Sequence, residues 1–186
     1  MKTIHFASSN RGKIEEVTKH LKSFGIAVHG NRIEMPEISS DDLESIAKEK
    51  AKAASNIIGK PVIVEDTGLY FGACRDFPGT HPKFVFKGIG YEGIFRLLEG
   101  KSRKACFRTV VAYCEPGKEP KTFEGISRGE ITEGVSGKPD PALPYDAVFM
   151  PESDNRTYSQ MTKEEKAKTS HRAKALEAFA RWFNSV

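Results

Sequence analysis

With 186 residues, the chain is long enough to bury a substantial core, and we expect a single domain over residues 1–186. Its 29 Lys and Arg residues against 25 Asp and Glu residues give a net charge of +4, spread along the chain rather than clustered as in most nucleic-acid-binding modules, which favours a small anionic ligand. Three cysteines without a C-x-x-C pair, no signal-peptide pattern and no membrane-spanning stretch predict free thiols, no membrane partner and a cytoplasmic location.

The N-terminal segment predicts a strand, a polar loop and a helix. The apolar run 4–7 predicts the strand, and the helical spacing of Ile14, Val17 and Leu21 predicts the helix. The loop between them is the polar segment Ser8-Ser9-Asn10-Arg11-Gly12-Lys13. Free N–H groups and partial positive charge at a helix start attract anions, so a phosphate would fit here. An ordinary connection in which Ser9 or Asn10 only caps the helix explains these residues equally well.

A second strand and a second helix follow. The short segment 26–29 predicts the strand, and Met35-Pro36-Glu37-Ile38 is a turn that carries a carboxylate. Ser40 or Asp41 is predicted to cap the helix, which has one apolar face. This face consists of Leu43, Ile46, Ala47, Ala51, Ala54 and Ile58.

Two adjacent carboxylates follow a strongly apolar strand. The run 62–64 predicts a buried strand, and Glu65 and Asp66 come directly after it. We expect them at the carboxyl end of that strand, where open α/β sheets bind their ligands. With Glu37, they are the side chains best suited to Mg²⁺, which binds a few carboxylates together with water and substrate phosphate. For Glu37 alone, a solvated turn residue is the simpler interpretation.

The second half of the chain predicts a long antiparallel hairpin. A segment rich in Pro and aromatic residues, 77–86, precedes a short helix at 91–98. The alternating segments 104–114 and 121–132 flank a Glu-Pro-Gly-Lys turn and predict the hairpin, and a last short strand is expected at 145–150. Alternating strands and helices followed by a hairpin predict an α/β protein with a mixed sheet.

The C-terminal region contains a second group of cations. The Thr-x-x-Glu pattern at 162–165 predicts a helix start, and Lys166, His171 and Arg172 follow it. If residue 169 or 170 caps a new helix, His171 and Arg172 lie in its first turn, where positive charge costs about 0.3–1 kcal/mol per residue unless an anion binds there. One unbroken helix with solvated Lys166 and Arg172 explains the spacing equally well.

Five motifs, in order along the chain, resemble those of the inosine triphosphate pyrophosphatase family. They are Ser8-x-Asn10-x-x-Lys13, Glu65-Asp66-Thr67-Gly68-Leu69, Tyr145-Asp146, Met161-x-x-Glu164-Glu165-Lys166 and Ser170-His171-Arg172. Members of this family hydrolyse ITP, dITP and XTP to the monophosphate and pyrophosphate. The resemblance runs from residue 3 to about residue 183. It implies an elongated α/β fold with a mixed sheet, flanking helices, two lobes around a central cleft, and a homodimer.

The resemblance also implies roles for individual residues. Asp66 matches the family's general base and metal ligand, and Glu37 matches its other metal carboxylate, with Mg²⁺ as the cofactor. The remaining matched positions are expected to bind the nucleoside triphosphate, the N-terminal loop on its phosphates and the C-terminal cations on its base. They are Ser8, Ser9, Asn10, Arg11, Gly12, Lys13, Thr67, Lys83, Leu143, Tyr145, Asp146, Lys166, His171 and Arg172.

One motif departs from the family pattern. Where family members have Phe-Gly before the Tyr or Trp, this chain has Leu143 and Pro144. Stacking of a base on an aromatic ring is worth about 1–3 kcal/mol, and Pro144 restricts Leu143 to extended geometry. The substitution therefore predicts a raised KM for ITP unless another ring, such as Tyr145 or Phe149, stacks on the base.

Two other functions use the same residue types. A non-catalytic module could bind nucleotides or nucleic acid through these cations without turnover. A Maf-like pyrophosphatase would act on methylated or pyrimidine nucleotides instead. The resemblance over nearly the whole chain favours the purine enzyme.

Overall fold

The computed structural model describes residues 2–34 and 38–186, which form one mixed sheet of seven strands and five α-helices. The strands are β1 (Lys2–Ala7), β2 (Ile26–Asn31), β3 (Val62–Phe71), β4 (Pro78–Gly79), β5 (Lys104–Cys114), β6 (Lys121–Ile131) and β7 (Phe149–Pro151). The helices are α1 (Arg11–Lys22), α2 (Leu43–Ile58), α3 (Pro82–Leu97), α4 (Lys163–Thr169) and α5 (His171–Ser185). The α/β class is confirmed, whereas the two-lobed outline and the single domain stay predictions.

The strands are ordered β2-β1-β3-β5-β6-β7, and β4 pairs with β3. β1 is parallel to β2 and β3, whereas β3, β5 and β6 pair antiparallel. β1 pairs with β3 only at His5–Val62 and Phe6–Ile63, so β1 ends while β3 continues to Phe71. The loop after β1 therefore opens beside the middle of β3.

This topology corrects the predicted position of the two carboxylates. Glu65 and Asp66 lie inside β3 rather than at its carboxyl end, because β5 pairs with β3 along its whole length. The edge at which a ligand could bind is set by the end of β1. The run 62–64 is buried, as predicted, and forms the start of β3.

β3 is packed on both faces. On one face, Ile63 belongs to an apolar cluster with residues of α1 and α5, among them Leu21 and Phe179. On the other face, Val62 and Val64 pack against the small side chains of α2, Ala47, Ala51 and Ala54. Burying one Val or Ile side chain contributes about 1.5–3 kcal/mol, so these contacts hold the strand in place.

Several predicted boundaries were wrong. α2 is capped by Asp42, whose carboxylate accepts from the N–H groups of Glu44 and Ser45, and not by Ser40 or Asp41. α3 begins at Pro82, well before the predicted start at 91, and is kinked at Gly90, whose φ of 58° suits glycine. The strand predicted at 145–150 is reduced to β7, because Pro144–Ala147 forms a short 3-10 helix.

Glu37, together with Met35 and Pro36 of the predicted turn 35–38, lies outside the described residues. Over the described ranges, the helices are all too short or too polar to span a membrane.

Candidate active site

A cleft of about 660 Å³ opens where β1 ends beside β3. Its walls come from the start of α1, from α2, β3 and the start of α3, from the 142–146 segment and from the start of α5. The predicted site residues that line it are Asn10, Lys13, Asp66, Thr67, Lys83, Leu143, Tyr145, Asp146, His171 and Arg172. Residues from both ends of the chain thus share one cavity.

The N-terminal loop, residues 8–13, is held in place by hydrogen bonds from its own polar side chains. Asn10 caps α1, and its Oδ1 accepts a hydrogen bond from Lys13 N at 3.2 Å. Ser8 Oγ accepts from Asn10 N at 3.2 Å, and Asn10 Nδ2 donates to Ala142 O at 3.3 Å. Asn10 therefore caps the helix and also ties the loop to the opposite wall of the cleft, while Lys13 faces inward.

Other residues of this loop point elsewhere. Arg11 is exposed and pairs with Glu15 at 3.0 Å on the surface of α1. Ser8, Ser9, Arg11 and Gly12 are outside the set of described residues that line the cleft. At Gly12 a Cβ atom would lie 3.3 Å from Asn10 Oδ1, so a larger residue would crowd the cap. Their role in substrate binding stays a prediction.

The alternation of β3 separates the two carboxylates. Successive strand residues face opposite sides, so Glu65 shares a face with Ile63, and Asp66 shares a face with Val64. Glu65 therefore points toward α1 and α5, where its carboxylate meets Lys13 Nζ at 2.5 Å and Arg172 Nε at 3.0 Å. Asp66 points toward α2 and lies 2.6 Å from Lys50 Nζ.

The carboxylate of Glu65 is therefore ion-paired with two cationic side chains. Its side chain is fully buried between Lys13 and Arg172. Burial alone would raise the pKa of Glu65, but the charges of Arg172 and Lys13 outweigh it and lower that pKa far below 4.5. Glu65 was one of three candidate metal carboxylates, and these ion pairs make it a structural residue instead.

The ion pairs continue into a larger, partly buried network in which three carboxylates alternate with three cations. Arg172 also bonds Glu16, and Lys166 Nζ contacts Glu16 Oε1 at 2.8 Å and Asp146 Oδ2 at 2.5 Å. Burial alone would lower the pKa of Lys166, but the nearby carboxylates of Asp146 and Glu16 outweigh that effect and raise the pKa. The ammonium group therefore stays charged. The members are Lys13, Glu65, Arg172, Glu16, Lys166 and Asp146.

The break between α4 and α5 positions these cations. Ser170 has extended backbone geometry (φ −70°, ψ 149°), and its Oγ accepts from Ala173 N at 3.2 Å, so it caps a new helix. Lys166 and Arg172 are 7 % and 3 % exposed, respectively. The alternative of one unbroken helix with both cations solvated is therefore wrong.

His171 is buried as a neutral ring. Its Nδ1 lies 2.6 Å from Thr109 Oγ1, which is 2.7 Å from Thr67 Oγ1, and its ring stacks on Phe107 at 4.5 Å. Burial, together with the positive charge of Arg172, lowers the pKa of His171 well below 6.5. A neutral imidazole donates a hydrogen bond from one ring nitrogen and accepts one at the other, so it can hydrogen-bond to a polar group of a ligand.

The Ham1 family model matches residues 4–182. The chain belongs to the Ham1 family. It is 46% identical to the dITP/XTP pyrophosphatase of Methanopyrus kandleri, over 97% of this chain and 95% of that protein. It is 38% identical to the inosine triphosphate pyrophosphatase of Tuber melanosporum, over 98% of this chain and 97% of that protein.

Solved Ham1 structures have the same fold. A HAM1 protein from Coxiella burnetii superposes with a TM-score of 0.83 at 26% identity, covering all of both chains. The Staphylococcus aureus Ham1 protein gives 0.77 at 28% identity, covering 99% of each chain. The fold of this chain is thus shared with the Ham1 proteins of these two bacteria.

Several residues of this Ham1 site were missed from sequence. Lys50 interrupts the apolar face of α2 four residues after Ile46, and this interruption was the available signal. Glu16 lies three residues after Lys13 on the same face of α1, but nothing local indicates its partners. Thr109 is the β5 residue opposite Thr67, so only the register of the strands reveals it.

Among the described residues that line the cleft, Asp66 is the carboxylate that lies outside the ion-pair network of Glu65. The described residues contain no group of three His, Cys, Asp or Glu residues arranged to bind a metal ion. Among these same residues, Asp66 Oδ2 is buried and accepts no hydrogen bond of good geometry, although the Lys50 ammonium is close. One carboxylate together with water and substrate phosphates is a donor set that suits Mg²⁺. Asp66 is therefore the described residue of the cleft that is suited to bind Mg²⁺.

The ion pairs of Glu65 predict a loss of stability in acid. Because its pKa is lowered in the folded chain, Glu65 contributes stability that is complete above about pH 4.5 and is lost as the pH falls below that value. We expect the free energy of unfolding of the wild type to fall steeply between about pH 4.5 and pH 2. Urea titrations over this range should show a shallower fall for Glu65→Gln, and parallel curves would contradict the assignment.

Proposed function

We propose that the chain hydrolyses the non-canonical purine nucleoside triphosphates dITP, XTP and ITP to the monophosphate and pyrophosphate. The observation that carries the proposal is the meeting of Lys13, Asp66 and Arg172 in one cleft. The volume of about 660 Å³ is in the range of small-molecule sites. The names of relatives that align over nearly the full length of the chain support the same reaction.

We assign the triphosphate to the side of the cleft formed by the start of α1. The N-terminus of α1 has a partial positive charge, and Lys13 projects from its first turn. The buried network has three positive and three negative groups, so it has no net charge to offer. Neutralising a triphosphate therefore depends on further cations, and Lys50, Lys83 and Lys87 also line the cleft.

A divalent cation completes this charge balance in the proposal. We expect Mg²⁺, held by Asp66 and, as the family resemblance implies, Glu37. Such an ion supplies positive charge that screens the phosphates from the incoming nucleophile. Lys50 would then release Asp66 and turn toward a phosphate oxygen.

Asp66 is the proposed general base. Its carboxylate faces the cleft from a strand fixed on both faces, and it accepts a proton from the attacking water. The water oxygen forms a bond to the α-phosphorus, the bond from that phosphorus to the bridging oxygen breaks, and pyrophosphate leaves. Lys13 donates hydrogen bonds to the phosphates, and the cleft lysines outside the network, such as Lys50, contribute positive charge where negative charge develops.

We assign the base to the opposite side of the cleft, near Asp146, His171 and Arg172. Buried donors such as the guanidinium of Arg172 suit the 6-oxo group of hypoxanthine and xanthine. The 6-amino group of ATP would leave such a donor unpaired, and a polar mismatch of this kind discriminates strongly. We also propose that the protein is a homodimer, as the resemblance implies. Its cysteine content and the spread of its charge support a cytoplasmic protein that does not bind nucleic acid.

A substrate panel tests the proposed function. Pyrophosphate and orthophosphate are assayed separately for dITP, XTP, ITP, ATP and GTP, with Mg²⁺ and with EDTA. We expect equal amounts of pyrophosphate and monophosphate, and no turnover in EDTA. We expect dITP, XTP and ITP to be preferred over ATP by roughly 100-fold or more. Binding of a non-hydrolysable dITP analogue, measured by calorimetry with and without Mg²⁺, provides a readout that is independent of turnover.

Three results would contradict the proposed function. Release of orthophosphate alone would place the attack elsewhere on the triphosphate. A preference for methylated or pyrimidine nucleotides would favour the Maf-like alternative. Tight, salt-dependent oligonucleotide binding without any product would favour a binding module.

A further inference from the structure

Three Phe or Tyr rings contribute to the cleft wall among the described residues, and they differ in how far they are exposed. Phe107 is 5 % exposed and its ring is stacked on His171. Tyr145 is also 5 % exposed and packs edge-on against Phe86 and Phe107. Phe84 is 78 % exposed. Among the Phe and Tyr rings of this lining, Phe84 is the one that a ligand can cover, and the imidazole of His81 beside it is also exposed.

Phe149, the other ring considered from sequence, is fully buried. It packs against Phe107 and Tyr158. The low exposure of Tyr145 and Phe149 does not favour the alternative in which one of them replaces a stacking ring at Leu143.

The backbone of Phe84 is fixed although its ring is exposed. Phe84 lies in the first turn of α3, which begins with Pro82, a residue whose φ is already set for a helix. Tyr145 Oη donates to Pro82 O at 2.9 Å, and Tyr91 Oη donates to Pro144 O at 2.8 Å. The first bond ties the start of α3, and the second the part of α3 beyond its kink, to the segment that contains Leu143.

The surroundings of Phe84 suit a flat, negatively charged ligand. Lys83 and Lys87 also line the cleft and are exposed. A large apolar ring left exposed to water adds little to the stability of the fold. It gains apolar contact once a planar group covers it, while the lysines attract the phosphates of the same molecule.

We infer that Phe84 stacks on the base of the bound nucleoside triphosphate and is a determinant of substrate affinity. This inference rests on the proposed function and names a further residue of the same site. Every base has a π-face, so stacking strengthens binding without selecting among bases. Phe84 should therefore increase affinity for dITP and ATP alike, and the discrimination between them should come from the polar groups of the opposite wall.

The test compares Phe84→Leu, which keeps an apolar side chain but loses the π-face, with Phe84→Tyr, which keeps the ring. For Phe84→Leu we expect KM for dITP and for ATP to rise by a similar factor of about 5–100, with kcat little changed and the ratio of their kcat/KM values unchanged. Phe84→Tyr should stay close to wild type. Ile57→Ala, at a 61 % exposed position outside the cleft, is the control for loss of an exposed apolar side chain.

Inorganic tripolyphosphate separates the base from the phosphates. It lacks a base, so its inhibition constant should be the same for wild type and Phe84→Leu. An equal loss of tripolyphosphate affinity, an unchanged KM in Phe84→Leu, or dissociation of an oligomer in sedimentation of that variant would each overturn the inference. The last result would assign Phe84 to a contact between copies of the chain. Absence of pyrophosphate release by the wild type would instead overturn the proposed function.

Discussion

Replacing Asp66 by Asn is expected to lower kcat for dITP by about 10²–10⁴-fold, the range that removal of a general base produces. The amide cannot accept the proton of the attacking water, and it is a poorer ligand for a divalent cation. The fold should persist, because β3 pairs with β5 through backbone groups and the side chain of Asp66 faces the cleft. Pyrophosphate release and thermal unfolding of the same preparation measure both effects.

The partner of Asp66 provides the control. In Asp66→Asn the Lys50 ammonium loses a carboxylate that lies 2.6 Å away, and the released cation could itself disturb substrate binding. The double variant Asp66→Asn, Lys50→Met removes both groups. We expect it to be as inactive as Asp66→Asn alone. Recovery of turnover in the double variant, or near-full activity in the single one, would remove Asp66 from the mechanism.

Replacing Glu65 by Gln is expected to lower the free energy of unfolding by about 3–5 kcal/mol, the cost of breaking a buried ion pair from one side. The change leaves the buried guanidinium of Arg172 with Glu16 as its remaining carboxylate, and Lys13 without its partner. Urea unfolding at neutral pH measures the loss.

An exposed ion pair gives the matched comparison. Glu92 and Arg96 pair on the surface of α3 with side chains that are 78% and 77% exposed. Glu92→Gln should cost less than about 1 kcal/mol, since solvent screens such a pair. If both substitutions cost the same, the network around Glu65 would not hold α1 and α5 against β3.

Local sequence patterns predicted two features of the site, the buried strand before the paired carboxylates and the helix start before Lys166. The apolar run before Glu65 and Asp66 and the capping box before Lys166 are both present in the structure. The alternation of side chains along a strand is also local, and it would have separated Glu65 from Asp66 had the strand been extended through them. Its continuation depends on pairing with β5, some 40 residues further on, which no local pattern shows.

The buried ion pairs could not be predicted, because their members are far apart in the chain. Glu16 and Lys166 are 150 residues apart, and Arg172 and Glu65 are 107 apart. On a helix surface, Glu16 and Lys166 each resemble ordinary solvated charges. They come together because α1 and α5 pack on the same face of the sheet and α4 contacts α5.

The structure of the Asp66→Asn variant with dITP and Mg²⁺ tests the central claim most directly. We predict that the triphosphate lies against Lys13 and the N-terminus of α1, with the α-phosphorus next to residue 66 and the base covering Phe84. A nucleotide bound elsewhere, such as in the separate cavity of about 400 Å³ between α1 and α4, would contradict the account.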